Sequence, residues 1–169
     1  MRLSFAFLTL IVVSVASAAV APAPRLATIE TDGARQLWVE VERDGTTLRR
    51  LIRETDAVLI PGDSGSDPTG RAVFATWTEG GRPWSSYSRN AGKSWSAAKP
   101  LRTELRLVAG TVFPDSPMPL PASGLDLPED GRLFVVQLKT VSLPEWRAGL
   151  EARGADVLAS FAHRAHIVR

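Results

Sequence analysis

Several residue types are scarce in this chain, and their scarcity limits its chemistry. Among 169 residues there are no cysteines, two histidines and one tyrosine. Without cysteine there are no disulfide bonds, although an exported protein could form them. The isoelectric point is about 9.5 while the net charge is only +2, because the groups that titrate above neutral pH are rare. The high isoelectric point therefore indicates no nucleic-acid partner, and the sequence has no dense run of Lys and Arg.

The N-terminal residues have the three parts of an export signal. Arg2 supplies a positive charge, Leu3–Val15 is apolar apart from three hydroxyl residues, and Ala16-Ser17-Ala18 is a small-x-small cleavage sequence. The apolar run is shorter than the roughly 20 residues that span a bilayer. The sequence therefore predicts a cleaved signal peptide at 1–18 and a linker at 19–25. It also predicts a secreted or periplasmic location, with no membrane attachment after cleavage.

The region 26–113 shows the alternation typical of half-buried strands. Gln36–Glu42 places Leu37, Val39 and Val41 on one face, and Asp44-Gly45 is the dipeptide of a tight hairpin turn. We therefore predict a hairpin of Gln36–Glu42 with Thr47–Arg53. Further short strands are predicted at Leu26–Ile29, Ala57–Ile60, Arg71–Thr78, Trp84–Ser88 and Leu105–Val112.

Two other segments lack periodicity. Pro61–Gly70 has the sequence PGDSGSDPTG, whose turn-forming residues predict a loop. Residues 114–130 are rich in proline and predict a linker between the β-rich region and a C-terminal unit at 131–169.

The C-terminal unit has the pattern of a strand, a helix and two further strands. Phe134, Val136 and Leu138 alternate with more polar neighbours, which predicts the first strand. Ser142 and Glu145 have capping-box spacing, and Gly154 suits the residue after a helix. The helix stripe consists of Leu143, Trp146 and Leu150. The last two strands are predicted at Val157–Phe161 and Ala165–Val168, with a turn at His163 and Arg164.

These same residues resemble the pro-region, of the inhibitor I9 type, of secreted subtilisin-like serine proteases. The resemblance is carried by Phe134–Leu138, Pro144–Trp146, Leu150, Gly154-Ala155, Val157-Leu158 and Ala165–Arg169, and by the segment Leu107–Pro114 before them. It implies a ferredoxin-like sandwich that assists folding of a subtilisin-like catalytic domain and inhibits it. The core that it implies consists of Phe134, Val136, Trp146, Leu150, Gly154 and Ile167. The sequence departs from the family because it stops after the third strand, so we expect a truncated relative without the protease domain.

A second resemblance lies in the sequence SRNAGKSW at Ser88–Trp95. It resembles an Asp-box, the hairpin turn of sialidase-like β-propellers, with Asn90 in the place of the usual Asp and Ser94 in that of Thr. The short side chain of Asn90 can bond the amides of the turn, Gly92 permits a positive φ, and Trp95 can pack beneath it. Together with Ser88, these residues predict a structural turn, because one copy cannot make a propeller.

Three apparent functional motifs have simpler explanations. Gly62-Asp63-Ser64-Gly65 copies a protease nucleophile sequence, but the chain has no matching His and Asp partners, so a loop is the better interpretation. Asp63 and Asp67 offer too few carboxylates for a calcium site. His163 and His166 are predicted at turn and edge positions, where no further metal ligands join them.

The sequence therefore predicts an α+β chain, with N-terminal antiparallel β-hairpins followed by a partial ferredoxin-like βαββ unit. It predicts no enzyme activity of its own, no cofactor and no metal. The expected function is that of a secreted pro-region fragment that docks on, or helps to fold, a subtilisin-like protease domain. Two alternatives remain: a fragment of an Asp-box propeller that binds or cleaves glycans, and a free-standing secreted β-rich module.

Overall fold

The computed structural model describes thirteen strands and one helix. It describes residues 8–10, 23–43, 45–102, 104–107, 110–112, 133–161 and 164–169. The strands are β1 Leu8–Leu10, β2 Arg25–Thr31, β3 Ala34–Arg43, β4 Thr46–Thr55, β5 Leu59–Ser66, β6 Val73–Glu79, β7 Arg82–Ser88, β8 Lys99–Pro100, β9 Leu105–Leu107, β10 Gly110–Val112, β11 Leu133–Gln137, β12 Val157–Phe161 and β13 Ala165–Val168. The helix α1 is Pro144–Glu151 and lies between β11 and β12 in the chain.

The strands form three sheets and one small hairpin. The first sheet has the order β2-β3-β4 and the second sheet the order β5-β6-β7-β8, and both are antiparallel. Among the strands that the structure describes, β9 and β10 pair with each other and with no other strand. The C-terminal sheet has the order β1-β11-β13-β12, in which β1 runs parallel to β11 and the other pairs are antiparallel.

The predicted hairpin of β3 and β4 is confirmed. Leu37, Val39 and Val41 are buried, while the residues between them are less so. Arg43 lies opposite Thr46, so two residues connect the strands, as in a tight turn. The local alternation and the turn sequence were therefore sufficient to predict this element.

The first and second sheets pack against each other, and we call this pair the sandwich. Two buried clusters lie between them, one of Leu37, Leu59 and Trp77 and the other of Val39, Val41 and Val73. Side chains at the margins of both clusters include Leu26 and Ile52, from β2 and β4. The burial of these side chains is the main stabilising contribution to the sandwich.

The predicted loop at Pro61–Gly70 is wrong, since most of it belongs to β5. A Cβ atom on Gly62 would lie 2.7 Å from Thr76 Oγ1, and one on Gly65 would lie 2.7 Å from Phe74 Cε1. These glycines let β5 approach β6 closely. The glycines that made this segment resemble a loop are therefore explained by the close packing of β5 on β6.

A third cluster joins the C-terminal residues to the second sheet. Its buried members are Ala72, Val136, Leu138, Leu143, Trp146, Leu150 and Val168, and Phe74, Tyr87 and Phe134 pack against it. The rings of Phe74 and Trp146 meet edge to face, with 5.7 Å between their centroids. The second sheet therefore has buried contacts on both of its faces.

The predicted α+β class with a partial ferredoxin-like βαββ unit is wrong. The described chain is mainly β, and its single helix has eight residues. Trp146 and Leu150 are buried as the helical stripe predicts, but part of their packing comes from the second sheet. The C-terminal sheet also has a parallel neighbour, β1, beside β11. The C-terminal residues therefore complete a mainly β molecule.

Several predicted segments lie outside the described residues. They include the predicted linker 114–130, His163, and the signal peptide 1–18 except for Leu8–Leu10, which form β1. The linker predicted at 19–25 is described from residue 23, and its last residue, Arg25, begins β2.

Candidate functional sites

The six residues of the predicted pro-region core all lie in the C-terminal unit. Phe134, Val136, Trp146 and Leu150 belong to the third cluster. Ile167 is half-buried on β13 opposite Val135 of β11. The sixth residue, Gly154, lies three residues after the helix with φ of +87°. All six therefore belong to β11, α1, β13 or the connection that follows α1.

The predicted capping box at the start of α1 is wrong. Leu143 is the N-cap residue, Pro144 begins the helix, and no side chain caps it. Ser142 Oγ instead lies 2.9 Å from His166 Nε2. Glu145 accepts hydrogen bonds from Nε and Nη2 of Arg89 at 2.9 and 2.7 Å. Both capping-box side chains are therefore engaged by residues distant in the sequence.

His166 lies in the interior and not at the predicted turn or edge. Its strand, β13, is paired on both sides, and the residue is 1% exposed. Its Nδ1 lies 2.8 Å from Ser160 Oγ, and its Nε2 faces Ser142. Burial, with a smaller contribution from the charge of Arg147, lowers the pKa of His166 below its ordinary value. The ring is therefore uncharged at neutral pH.

The hydrogen bonds of His166 connect three elements of the C-terminal unit. The two serines reach it from the start of α1 and from β12, and both line a surface cleft of about 340 Å³. A neutral imidazole beside a serine hydroxyl can accept its proton, which is the first requirement of a nucleophilic serine. However, the group at Nδ1 is a hydroxyl and not a carboxylate, and no described acidic side chain hydrogen-bonds the ring. We therefore interpret this arrangement as a polar clamp that fixes β12.

Among the described strands, none covers the outer edge of β12, which is open. β12 is the last strand in the order of the C-terminal sheet, and no strand among the described residues pairs with its outer side. Leu158 on β12 is 48% exposed, whereas Val157 packs against the third cluster. An open edge presents unpaired backbone donors and acceptors to a partner.

The Asp-box-like turn after β7 is held by its own side chains. Ser88 Oγ donates to Asn90 Oδ1 at 2.8 Å and accepts from the Gly92 amide at 2.9 Å. Asn90 Oδ1 accepts from the Ser94 amide at 2.9 Å, and Asn90 Nδ2 donates to Ser94 Oγ at 2.8 Å. The asparagine therefore uses both ends of its amide inside the turn.

The same turn is fixed to the sandwich by Gly92 and Trp95. Gly92 has φ of +80°, and a Cβ atom there would lie 2.8 Å from Val41 Cγ2. Trp95 donates from Nε1 to the Gly92 carbonyl at 3.2 Å and packs against the cluster that contains Val39 and Val73. The turn is therefore a rigid part of the sandwich surface.

The candidate calcium and protease residues do not converge. Asp63 forms an ion pair with Lys139 at 2.9 Å, and Ser64 Oγ donates to the Pro24 carbonyl at 2.6 Å. Asp67 is buried, and its carboxylate accepts from the Ala72 amide at 2.7 Å. These carboxylates therefore order the chain around β5.

Three further findings concern the chain as a whole. The helix in the described part of the chain is too short to cross a membrane. No group of three His, Cys, Asp or Glu residues suited to a metal ion occurs among the residues that the structure describes. Comparisons with protein-family models, with curated proteins and with solved structures found no match to this chain.

Proposed function

We propose that this chain is an exported, non-catalytic module that docks on the catalytic domain of a subtilisin-like serine protease. The observation that carries the proposal is the open edge of β12, in the unit whose residues resemble the protease pro-region. The resemblance supplies the kind of partner, and the open edge supplies a surface for it. The module binds its partner without any reaction of its own.

The packing of α1 favours the edge of β12 over the helix as the contact surface. Trp146 and Leu150 are occupied by the third cluster and cannot serve a partner without unfolding. By contrast, the sequence of β12, VLASF, contains no charged residue that would discourage a neighbouring strand. Addition of a partner strand to such an edge satisfies its free backbone groups. Exposed Leu158 offers an apolar contact beside them.

The His166 clamp supports this use of β12. Ser160 lies on β12 and bonds the buried ring, so the edge strand is held in place before a partner arrives. A preorganised edge loses less conformational entropy on binding than a flexible one.

The proposal is tested by mixing the purified chain with an active-site-blocked subtilisin-like protease and measuring binding by titration calorimetry. We expect a stoichiometric complex, and we expect Leu158→Lys to weaken it by about tenfold or more, because a buried charge without a partner is costly. Leu51→Lys is the matched control, since Leu51 is 41% exposed on β4 in the first sheet. No complex with the unaltered chain would overturn the docking role. Equal weakening by both substitutions would exclude the edge of β12 as the contact.

A further inference from the structure

A cleft beside the Asp-box-like turn is lined by positive charge. Its volume is about 410 Å³, and its lining residues are Arg43, Thr69, Arg71, Asn90 and Lys93. Three of these five are cations and none is an acid. Cations gathered in one concave surface repel each other and attract an anion into the space between them.

The cations come from three separate elements that the fold brings together. Arg43 ends β3, Arg71 lies between β5 and β6, and Lys93 belongs to the Asp-box-like turn. The Ala91 amide donates to the Arg71 carbonyl at 2.8 Å, which fastens the turn to the neighbouring connection. The walls of the cleft are therefore connected through the backbone and are not independent loops.

The connection between β5 and β6, which carries Arg71, is ordered by hydrogen bonds to the buried carboxylate of Asp67. Asp67 accepts from the Thr69 hydroxyl at 2.6 Å, and Thr69 Oγ1 accepts from the Arg71 amide at 3.3 Å. Asp67 also bonds the Ala72 amide, so its carboxylate is engaged with this connection. The arrangement fixes the backbone of Arg71 and leaves its side chain to the cleft.

Arg71 and Lys93 form no ion pair with a carboxylate in the described part of the chain. Arg53, Arg89 and Arg147, by contrast, each pair with a glutamate at 2.9 Å or less. Asn90, which is neutral, also adds no negative charge to the cleft. An Asp-box has an aspartate there, whereas Asn90 holds the turn without bringing a negative charge to the cleft.

We propose that this cleft binds a small organic molecule that bears a phosphate or sulfate ester. The oxyanion would lie between Arg71 and Lys93, because guanidinium and ammonium groups donate charge-assisted hydrogen bonds to such groups. The volume of the cleft is within the range of about 300–1,000 Å³ typical of small-ligand sites and exceeds what a lone ion fills. The proposal uses residues of the sandwich and does not depend on docking at β12.

Titration calorimetry with glucose 6-phosphate, glucose 6-sulfate, glucose and inorganic sulfate tests the proposal. We expect both esters to bind, inorganic sulfate to bind more weakly, glucose not to bind, and the affinity for the esters to fall as salt screens the charges. No binding of either ester at low ionic strength would overturn the proposal. Inorganic sulfate binding as tightly as the esters would overturn the assignment of an ester rather than a free ion.

Asn90→Asp is the sharpest variant, because an aspartate can still accept from the Ser94 amide and the Ser88 hydroxyl while adding a negative charge to the cleft. We expect about a tenfold or larger loss of ester affinity, with an unchanged melting temperature. The double variant Arg71→Gln, Lys93→Gln should lose the binding, and it keeps the test decisive if Asn90→Asp unfolds. The control is Arg147→Gln on α1, which should bind like the unaltered chain. Ester affinity that is unchanged in the double variant would overturn the proposal.

Discussion

The sandwich and the C-terminal unit build their hydrophobic cores in different ways. The two clusters of the sandwich are made from residues of the first and second sheets and their connections. The cluster of the C-terminal unit includes buried Ala72, and Phe74 and Tyr87 pack against it. Phe74 and Tyr87 belong to the second sheet, and Ala72 directly precedes its strand β6. The sandwich therefore supplies part of the C-terminal core, while its own two clusters receive none of the described residues of that unit.

Strand β6 explains how one sheet serves both cores. Val73, Ala75 and Trp77 are buried, and Val73 and Trp77 face the first sheet, whereas Phe74 contacts Trp146. A strand that is covered on both faces lacks strict alternation of apolar and polar residues. We therefore expect substitutions that destabilise the sandwich to destabilise the C-terminal unit as well. Substitutions in the C-terminal unit should destabilise the sandwich less. Four predictions test this asymmetry.

The largest effects are expected from the two buried tryptophans. Replacing a buried tryptophan by alanine costs about 3–5 kcal/mol of unfolding free energy. We expect Trp77→Ala to accelerate amide hydrogen exchange in both regions, and Trp146→Ala to accelerate it mainly in β11 and β13. Trp38→Ala, on the outer face of the first sheet, is a control with a small effect. Equal acceleration in β3 by Trp146→Ala would contradict the asymmetry.

The next effect is expected at Gly92, where the turn meets the sandwich. Gly92→Ala combines a positive φ, which costs about 1–2 kcal/mol, with a clash against Val41 that adds about 1–3 kcal/mol. Gly33→Ala is the matched control, because Gly33 has the same φ of +80° with nothing within 4 Å of its Cβ position. Thermal unfolding should show the larger loss at Gly92. A loss of equal size at both positions would exclude the clash with Val41 as a cause.

A smaller effect is expected from the titration of His166. Because burial lowers the pKa of His166 in the folded protein, its contribution to stability is complete above the ordinary value of 6.5 and is lost as the pH falls below it. The slope from this one group cannot exceed about 1.4 kcal/mol per pH unit, the value for one proton. The measurement is urea unfolding between about pH 7.5 and pH 5, followed in the C-terminal unit, where this prediction places the effect. His166→Gln should remove that part of the slope, and an unchanged slope would show that the ring protonates freely.

The smallest effect is expected at Arg89, which joins the Asp-box-like turn to α1 through Glu145. Burial alone would raise the pKa of Glu145, but hydrogen bonds from its own backbone amide and from Arg89 outweigh this and lower it. The pair is partly exposed, so we expect Arg89→Gln to cost about 0.2–1 kcal/mol in thermal unfolding. Arg147→Gln removes an ion pair within α1 and serves as the control. A loss well above this range would indicate that the two regions are joined by more than hydrophobic packing.

The elements that sequence reasoning predicted well are those fixed by neighbours in the chain. The β3–β4 hairpin follows from alternation and a turn dipeptide, and the bounds of β12 and β13 agree with the prediction. The failures share a different cause. The capping box failed because Ser142 is bonded by His166, and the loop at Pro61–Gly70 failed because Gly62 packs against Thr76.

The candidate sites were beyond the reach of local patterns. Whether β12 is an edge depends on strand order, which the sequence pattern does not specify. The basic cleft gathers Arg43, Arg71 and Lys93, which lie too far apart in the sequence to appear as a charged run. Only the Asp-box-like turn, a contiguous segment with several side-chain requirements, was visible from the sequence itself.

The close contact of β5 with β6 has a consequence for how this chain tolerates variation. Random mutagenesis should find Gly62 and Gly65 almost as resistant to replacement as core positions. Gly62 is the stricter of the two, because its would-be neighbours include the Thr76 backbone carbonyl at 2.9 Å, whereas at Gly65 only the Phe74 ring intrudes. The glycines of a segment with the composition of a loop thus set the distance between β5 and β6 in the second sheet.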